Sequence, residues 1–125
     1  MALTARQSRF LDRVLAAIES APVNTPSEPD LARSLGVPIQ AVEEIVRLGA
    51  ENERILVLRG SVLFTRDQIS QIQRRLKELA APGPFSPKQV RESLGTTRKY
   101  ADALLDYFDS TGFTERTEQG RTCRA

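Results

Sequence analysis

Two short stretches of this chain are written alike, and what surrounds them leaves few folds open. S-E-P-D-L-A-R-S-L-G, Ser27 to Gly36, and S-P-K-Q-V-R-E-S-L-G, Ser86 to Gly95, each begin with a serine able to cap a helix and stop at a leucine-glycine pair. Asp30 stands three residues after Ser27, while Pro87 takes the natural first helical position and Gln89 completes a capping box with Ser86. Glycine then closes each short helix, because it enters the left-handed conformation without the steric cost of a Cβ.

The flanks repeat as well. Before Ser27, the residues Phe10, Leu11, Val14, Leu15 and Ile18 fall at helical spacing and predict a helix over about Thr4 to Ser20, ended by the turn formers of A-P-V-N-T-P. After Gly36, Pro38 opens a third helix with Val42, Ile45, Val46 and Gly49 on one face. R-I-L-V-L and V-L-F-T then flank Arg59-Gly60-Ser61 and read as a hairpin. The order restarts at Thr65, where T-R-D-Q forms a capping box and Ile69, Ile72, Leu76 and Leu79 mark a helix to about Ala80. After Gly95 a helix from about Thr97 to Ser110 buries Ala101, Leu104, Leu105 and Phe108. Gly112 terminates it, and F-T-E-R-T and G-R-T-C-R flank a second tip at Glu118-Gln119-Gly120.

Three helices and a hairpin, twice, predict a mainly α fold with small β-hairpin wings (α+β): two tandem winged helix-turn-helix domains over residues 1–65 and 66–125. No linker separates them, so a fairly rigid pair is expected. The alternative is a single all-helical domain with incidental β-rich runs. Each unit is near the lower size limit for an independent core, so packing between them should add stability.

Composition removes most chemistry. With no histidine and one cysteine, Cys123, the chain lacks the residues of common zinc sites, of a disulfide framework and of a histidine-based nucleophilic triad. No G-x-x-x-x-G-K-[ST] or G-x-G-x-x-G run occurs, so neither catalysis nor a bound cofactor is expected in this piece. Cys123 reads as an incidental strand residue rather than a reactive thiol. No apolar run approaches the roughly 20 residues that span a bilayer, and M-A-L-T-A-R-Q-S-R-F lacks the apolar centre of a signal peptide. A cytoplasmic monomer without a membrane partner is the expectation.

Net charge is only +2, so the placement of charge matters more than its sum. Aligned through the leucine-glycine pairs, the two third helices differ at their openings, where Ile39, Gln40 and Ala41 match Arg98, Lys99 and Tyr100. The first helix then shows Glu43 and Glu44 to solvent, which suits a spacer or a protein contact and repels phosphate. From Ser86 to Tyr100 the second unit gathers Lys88, Arg91, Arg98 and Lys99 against the single acid Glu92, with Arg116, Arg121 and Arg124 in the wing. Cations at a helix N-terminus oppose the dipole. One explanation is an intrahelical pair such as Arg98 with Asp102, which contributes only about 0.2 to 0.5 kcal/mol. The other is an external phosphate, held by the N–H groups of Thr96, Thr97, Arg98 and Lys99 together with the two side chains. Tyr100 could stack on a base or cover the core's edge; Tyr107 reads as packing. A-form RNA does not admit a helix in its deep, narrow groove, so an RNA partner would be a hairpin loop or bulge.

The run F-S-P-K-Q-V-R-E-S-L-G-T-T-R-K-Y-A-D-A-L-L-D-Y-F-D-S-T-G, with R-K-Y-A at Arg98 to Ala101 as its most characteristic part, resembles the last winged-helix domain of the bacterial selenocysteine-specific elongation factor family, SelB. The resemblance implies binding of the selenocysteine insertion (SECIS) hairpin in messenger RNA, downstream of a recoded UGA codon. It implies that a GTPase body, using GTP and Mg, lies upstream, carries selenocysteinyl-tRNA and works on the ribosome. Carried over by position, the RNA-binding residues are Arg98, Lys99 and Tyr100, supported by Thr97, Lys88, Arg91, Arg116 and Arg121. The chain departs from the family at Glu115, where a basic residue often precedes the one at Arg116. Two other classes compete: a DNA-binding winged-helix regulator, expected as a symmetric dimer, and a tandem winged-helix protein-interaction module.

Overall fold

The computed structural model describes residues 2–124, so the outer ends of the two expected units, 1 and 125, lie outside it. Helices α1 (Ala5–Ile18), α2 (Glu28–Leu35) and α3 (Ile39–Glu51) precede an antiparallel hairpin, β1 (Ile55–Leu58) and β2 (Val62–Thr65). Helices α4 (Arg66–Ala80), α5 (Pro87–Leu94) and α6 (Arg98–Thr111) then lead to a second hairpin, β3 (Thr114–Thr117) and β4 (Gly120–Cys123). The architecture is winged-helix, α+β, as the sequence predicts.

Local chemistry sets the boundaries. Reciprocal capping boxes start α1 (Thr4 with Gln7), α2 (Ser27 with Asp30), α4 (Thr65 with Gln68) and α5 (Ser86 with Gln89). Each side-chain cap contributes about 1 kcal/mol by pairing N–H groups that the helix leaves open. At the other ends Gly36 and Gly95 adopt φ values of 68° and 63°, so the matching leucine-glycine pairs make matching turns.

The two hairpins play different parts, which corrects the expectation of two equivalent wings. Strand β2 is buried throughout, and its side chains alternate between two cores. Leu63 joins Leu11, Val14, Ile18, Val42 and Ile45. Val62 and Phe64 instead join Ile72, Leu76, Val90, Leu104 and Phe108, as do Leu58 of β1 and Val23 of the α1–α2 loop. The cause is in V-L-F-T itself: three consecutive large apolar residues give a strand no face to offer to water. The first hairpin is therefore a wall shared by both halves. In β3, by contrast, Thr114 is buried and Glu115, Arg116 and Thr117 are exposed, so only the second hairpin projects as a wing.

Its tip is also tighter than expected. Thr117 pairs with Gly120, which makes Gly120 the first residue of β4 and leaves Glu118 and Gln119 as the turn. A Cβ on Gly120 would lie 2.7 Å from the Phe85 carbonyl oxygen, because Phe85 and Arg121 exchange backbone hydrogen bonds of 2.9 and 2.8 Å. The α4–α5 loop thus adds a strand-like edge to the wing and ties it to the start of α5.

Buried polar groups lock the halves together. Gln68, 5% exposed, donates from Nε2 to the carbonyls of Ile18 and Ala21, each at 2.9 Å, while its Oε1 accepts from the Thr65 N–H. The Thr65 hydroxyl donates to Glu19 at 2.6 Å. One glutamine closes both the end of α1 and the beginning of α4.

Candidate nucleic-acid interface

The first turn of α6 carries the cations that oppose its dipole. Thr97 is the N-cap in an extended conformation, but its side chain makes no capping hydrogen bond. It departs in this from the four helices with capping boxes. Arg98, Lys99 and Thr97 are exposed. The first turn of α6 holds no acid, and no side-chain oxygen closes its N–H groups. α3 is likewise uncapped, behind Pro38, yet it carries no cation at the matched positions. The tight helix-turn-helix connection explains the missing cap in both; it does not explain the charge in one.

Among the described residues, Lys88, Arg91, Arg98, Lys99 and Arg116 take part in none of the ion pairs, so the Arg98–Asp102 pair does not form. Lys88 is exposed in the first turn of α5, Arg91 is half-buried further along it, and Arg116 is exposed on β3. Unpaired cations in water keep their hydration and cost the fold little, and they remain available to an anion.

Arg121, unlike Arg116, is engaged within the fold. Its guanidinium donates to both oxygens of Asp109, at 2.9 to 3.2 Å, and its side chain is only 13% exposed. The Thr114 hydroxyl also donates to Asp109, at 2.6 Å. Burial alone would raise the Asp109 pKa, but the hydrogen bonds from Arg121 and Thr114, with the fields of Arg121 and Arg116, hold it below the usual carboxylate range. Arg121 is a strut between the wing and α6. Directly opposite it across the hairpin is Arg116, and the Asp109 pairing relieves that juxtaposition of like charges. Glu115, the departure noted in the sequence, pairs at 3.2 Å with Arg124, so the outermost wing arginine is also engaged.

Tyr100 is not a free stacking platform. Its half-buried ring packs against the second core, and its hydroxyl donates to the Thr25 carbonyl at 2.6 Å. Burial, then the nearby Asp30 charge, raise its pKa. Lys99 places its ammonium 5.7 Å from the ring centroid. Tyr107 packs beside Phe108, with ring centroids 5.6 Å apart.

Sequence reasoning missed the partners of this turn. Asn24 donates from Nδ2 to the Gly95 carbonyl at 3.2 Å and accepts from the Thr96 hydroxyl at 2.5 Å. With Thr25 receiving Tyr100, the α1–α2 loop of the first half clamps both sides of the Arg98–Lys99 pair. Asp30 at the start of α2 also faces this region. Hydrogen bonds from the Ser27 backbone and side chain hold its carboxyl low, and the charges of Arg33 and Lys99 add to them. Val23 lies in the second core, so an apolar residue inside the turn formers of A-P-V-N-T-P was the one available signal that this loop packs against something.

A helix-turn-helix with one projecting wing, and unpaired cations on both helices beside it, defines a winged-helix module with a cationic face. Residues 77–123, which contain that face, match the family described as the elongation factor SelB winged helix. The chain is 31% identical over 88 residues to the selenocysteine-specific elongation factor of Escherichia coli (strain K12), covering 70% of this chain and 14% of that protein. It therefore spans about a seventh of the length of that relative. The solved mRNA-binding domain of elongation factor SelB from E. coli, in complex with SECIS RNA, shares the fold, with a TM-score of 0.79 and 24% identity over 98% of this chain and all of that one. A bacterial selenocysteine-specific elongation factor, EF-Sec, shares it with a TM-score of 0.69 and 22% identity, over 98% of this chain and 19% of that one. Among the described residues no helix is long and apolar enough to cross a membrane.

Proposed function

We propose that this chain is the mRNA-binding arm of a selenocysteine-specific elongation factor and grips a SECIS hairpin through its second half. It is read as two tandem winged-helix domains divided near residues 65 and 66, the first serving as a spacer that shapes the second. Arg98 and Lys99, the open N–H groups from Thr97 onward, Lys88, Arg91 and Arg116 hold hairpin phosphates. Arg121 and Tyr100 position that surface rather than touch RNA.

The observation that carries the reading is the uncapped N-terminus of α6, with two unpaired cations, inside the segment matched to the SelB winged helix. An anion there meets the helix dipole, unbonded N–H groups and two side-chain charges together. On this reading the chain carries no chemistry of its own. GTP, Mg, selenocysteinyl-tRNA and the ribosome belong, on this reading, to a longer cytoplasmic factor of which this is one arm, acting as a monomer.

The test compares binding of a SECIS hairpin, its linear permutation and duplex DNA at one salt concentration. Preference for the hairpin is the expected result. Preference for the duplex would sink the proposal in favour of a DNA-binding regulator, and equal, salt-insensitive binding would favour a protein-interaction module.

A further inference from the structure

The first half carries a feature that lies outside the surface proposed above to hold RNA. Between α1 and α3 runs an open groove of about 800 Å³, floored by Phe10, Pro38, Ala41 and Leu48. One wall carries Arg6, Arg9 and Arg13. These follow one another at intervals of three and four residues, so they form a single stripe along α1 about 11 Å long. All three are exposed, and among the described residues none takes part in an ion pair. The one acid within their run, Asp12, approaches Arg54 instead, at 3.9 Å.

We propose that this groove is the docking site of an acidic amphipathic helix from a protein partner. The volume falls in the range of sites that enclose part of a ligand, and the floor is apolar where a helix would lay its hydrophobic ridge. Phe10 is half-buried with the Arg13 guanidinium 6.0 Å from its ring centroid, an arrangement that presents an aromatic face flanked by charge. The stripe matches acids spaced by one and two turns on a partner helix. Pro38, the N-cap of α3, lies inside the groove and offers no side-chain cap, so the positive end of the α3 dipole favours the same sign of partner.

A nucleic acid fits less well. Glu44 stands on the opposite lip and Glu43 beside it is exposed, so a phosphate chain would meet carboxylates, and its sugars would gain little from the apolar floor. The inference goes beyond hairpin binding and does not depend on it.

The test selects displayed peptides about 14 residues long, four helical turns, against the whole chain. Enriched peptides are expected to place acids and large apolar residues at helical spacing. Their affinity should fall about tenfold or more with Arg9→Glu/Arg13→Glu, as for the loss of close charge pairs across an interface. It should fall similarly with Ala41→Arg, which fills the floor without removing positive charge. Circular dichroism and SECIS-hairpin affinity, measured in parallel, should match wild type in both variants. Peptides indifferent to both variants, or no enrichment, would overturn the proposal. So would weakened hairpin binding by the α1 variant, which would make the stripe an RNA surface, or a dimer that the variants dissociate, which would make the occupant a second copy.

Discussion

Asn24→Ala separates positioning from contact at the cationic turn. Asn24 lies in the first half, yet its amide bonds both Gly95 and Thr96, immediately before Arg98 and Lys99. Two neutral, solvent-exposed hydrogen bonds contribute about 1 to 2 kcal/mol together, toward the low end of the usual range for each. Loss of this order in a chain of this size lowers the melting temperature by about 4 °C per kcal/mol. The effect on RNA affinity is bounded by linkage, because a residue that only favours the docked turn can weaken binding by no more than that preference, about 5- to 30-fold. No phosphate contact disappears, so the slope of log K against log salt should stay unchanged. Lys99→Ala should do the reverse, leaving the melting temperature alone and lowering the slope by about 0.7 to 0.9. Hairpin titrations at four salt concentrations, with thermal melts of the same variants, read both quantities. A reduced slope for Asn24→Ala, or normal stability with lost affinity, would refute the division between clamp and contact.

The remaining expectations use the same assays. Arg98→Ala and Lys99→Ala should each weaken hairpin binding by about 1 to 3 kcal/mol, whereas Gln40→Ala, at the matched position of α3, should leave it unchanged. Arg121→Ala should destabilise the fold by about 1 to 3 kcal/mol, since it leaves the half-buried Asp109 without its guanidinium partner. The folded pKa of Asp109 is depressed, so its contribution is complete above the unfolded value of about 3.9 and is lost as pH falls through the folded value. In Arg121→Ala the folded pKa of Asp109 rises toward the unfolded value, so the variant should lose less stability than wild type as pH falls below about 3.9; an equal acid loss in both would refute the assignment. Phe64→Ala should cost about 3 to 5 kcal/mol and unfold both halves in one transition, while two separate transitions would show that the shared hairpin does not couple them.

What was legible in the sequence was whatever depends on near neighbours. The capping boxes at Ser27, Thr65 and Ser86, the glycine stops at Gly36 and Gly95 and the strand runs are all local chemistry, and they place every element to within a few residues. The charge contrast between the two third helices needed only the internal repeat. Partner choice across the chain was not legible. Asn24 and Thr96 are 72 residues apart, and nothing in the composition of A-P-V-N-T-P says that its asparagine meets a second turn. Arg121 and Asp109 fail in the same way: a wing arginine and a late helix acid look equally free until the hairpin folds back. V-L-F-T is legible as a strand without a polar face, but which two cores cover its faces depends on residues far away in the chain.

Those long-range pairings also sort the cations by function. Folding engages Arg121 and Arg124 with carboxylates and, among the described residues, leaves Lys88, Arg91, Arg98, Lys99 and Arg116 unpaired. A fold seeking only its own stability would gain from an acid near Lys99, and Asp30 is close enough for each charge to be felt. Asp30, however, is committed to Ser27 through its capping box and to Arg33 through an ion pair. It softens the field at the turn without occupying it. The opening of α6 therefore keeps its bare N–H groups and its cations in one rigid place, held from behind by Asn24 and Thr25. On the proposed function, that preorganisation would let a phosphate bind without first displacing an internal partner.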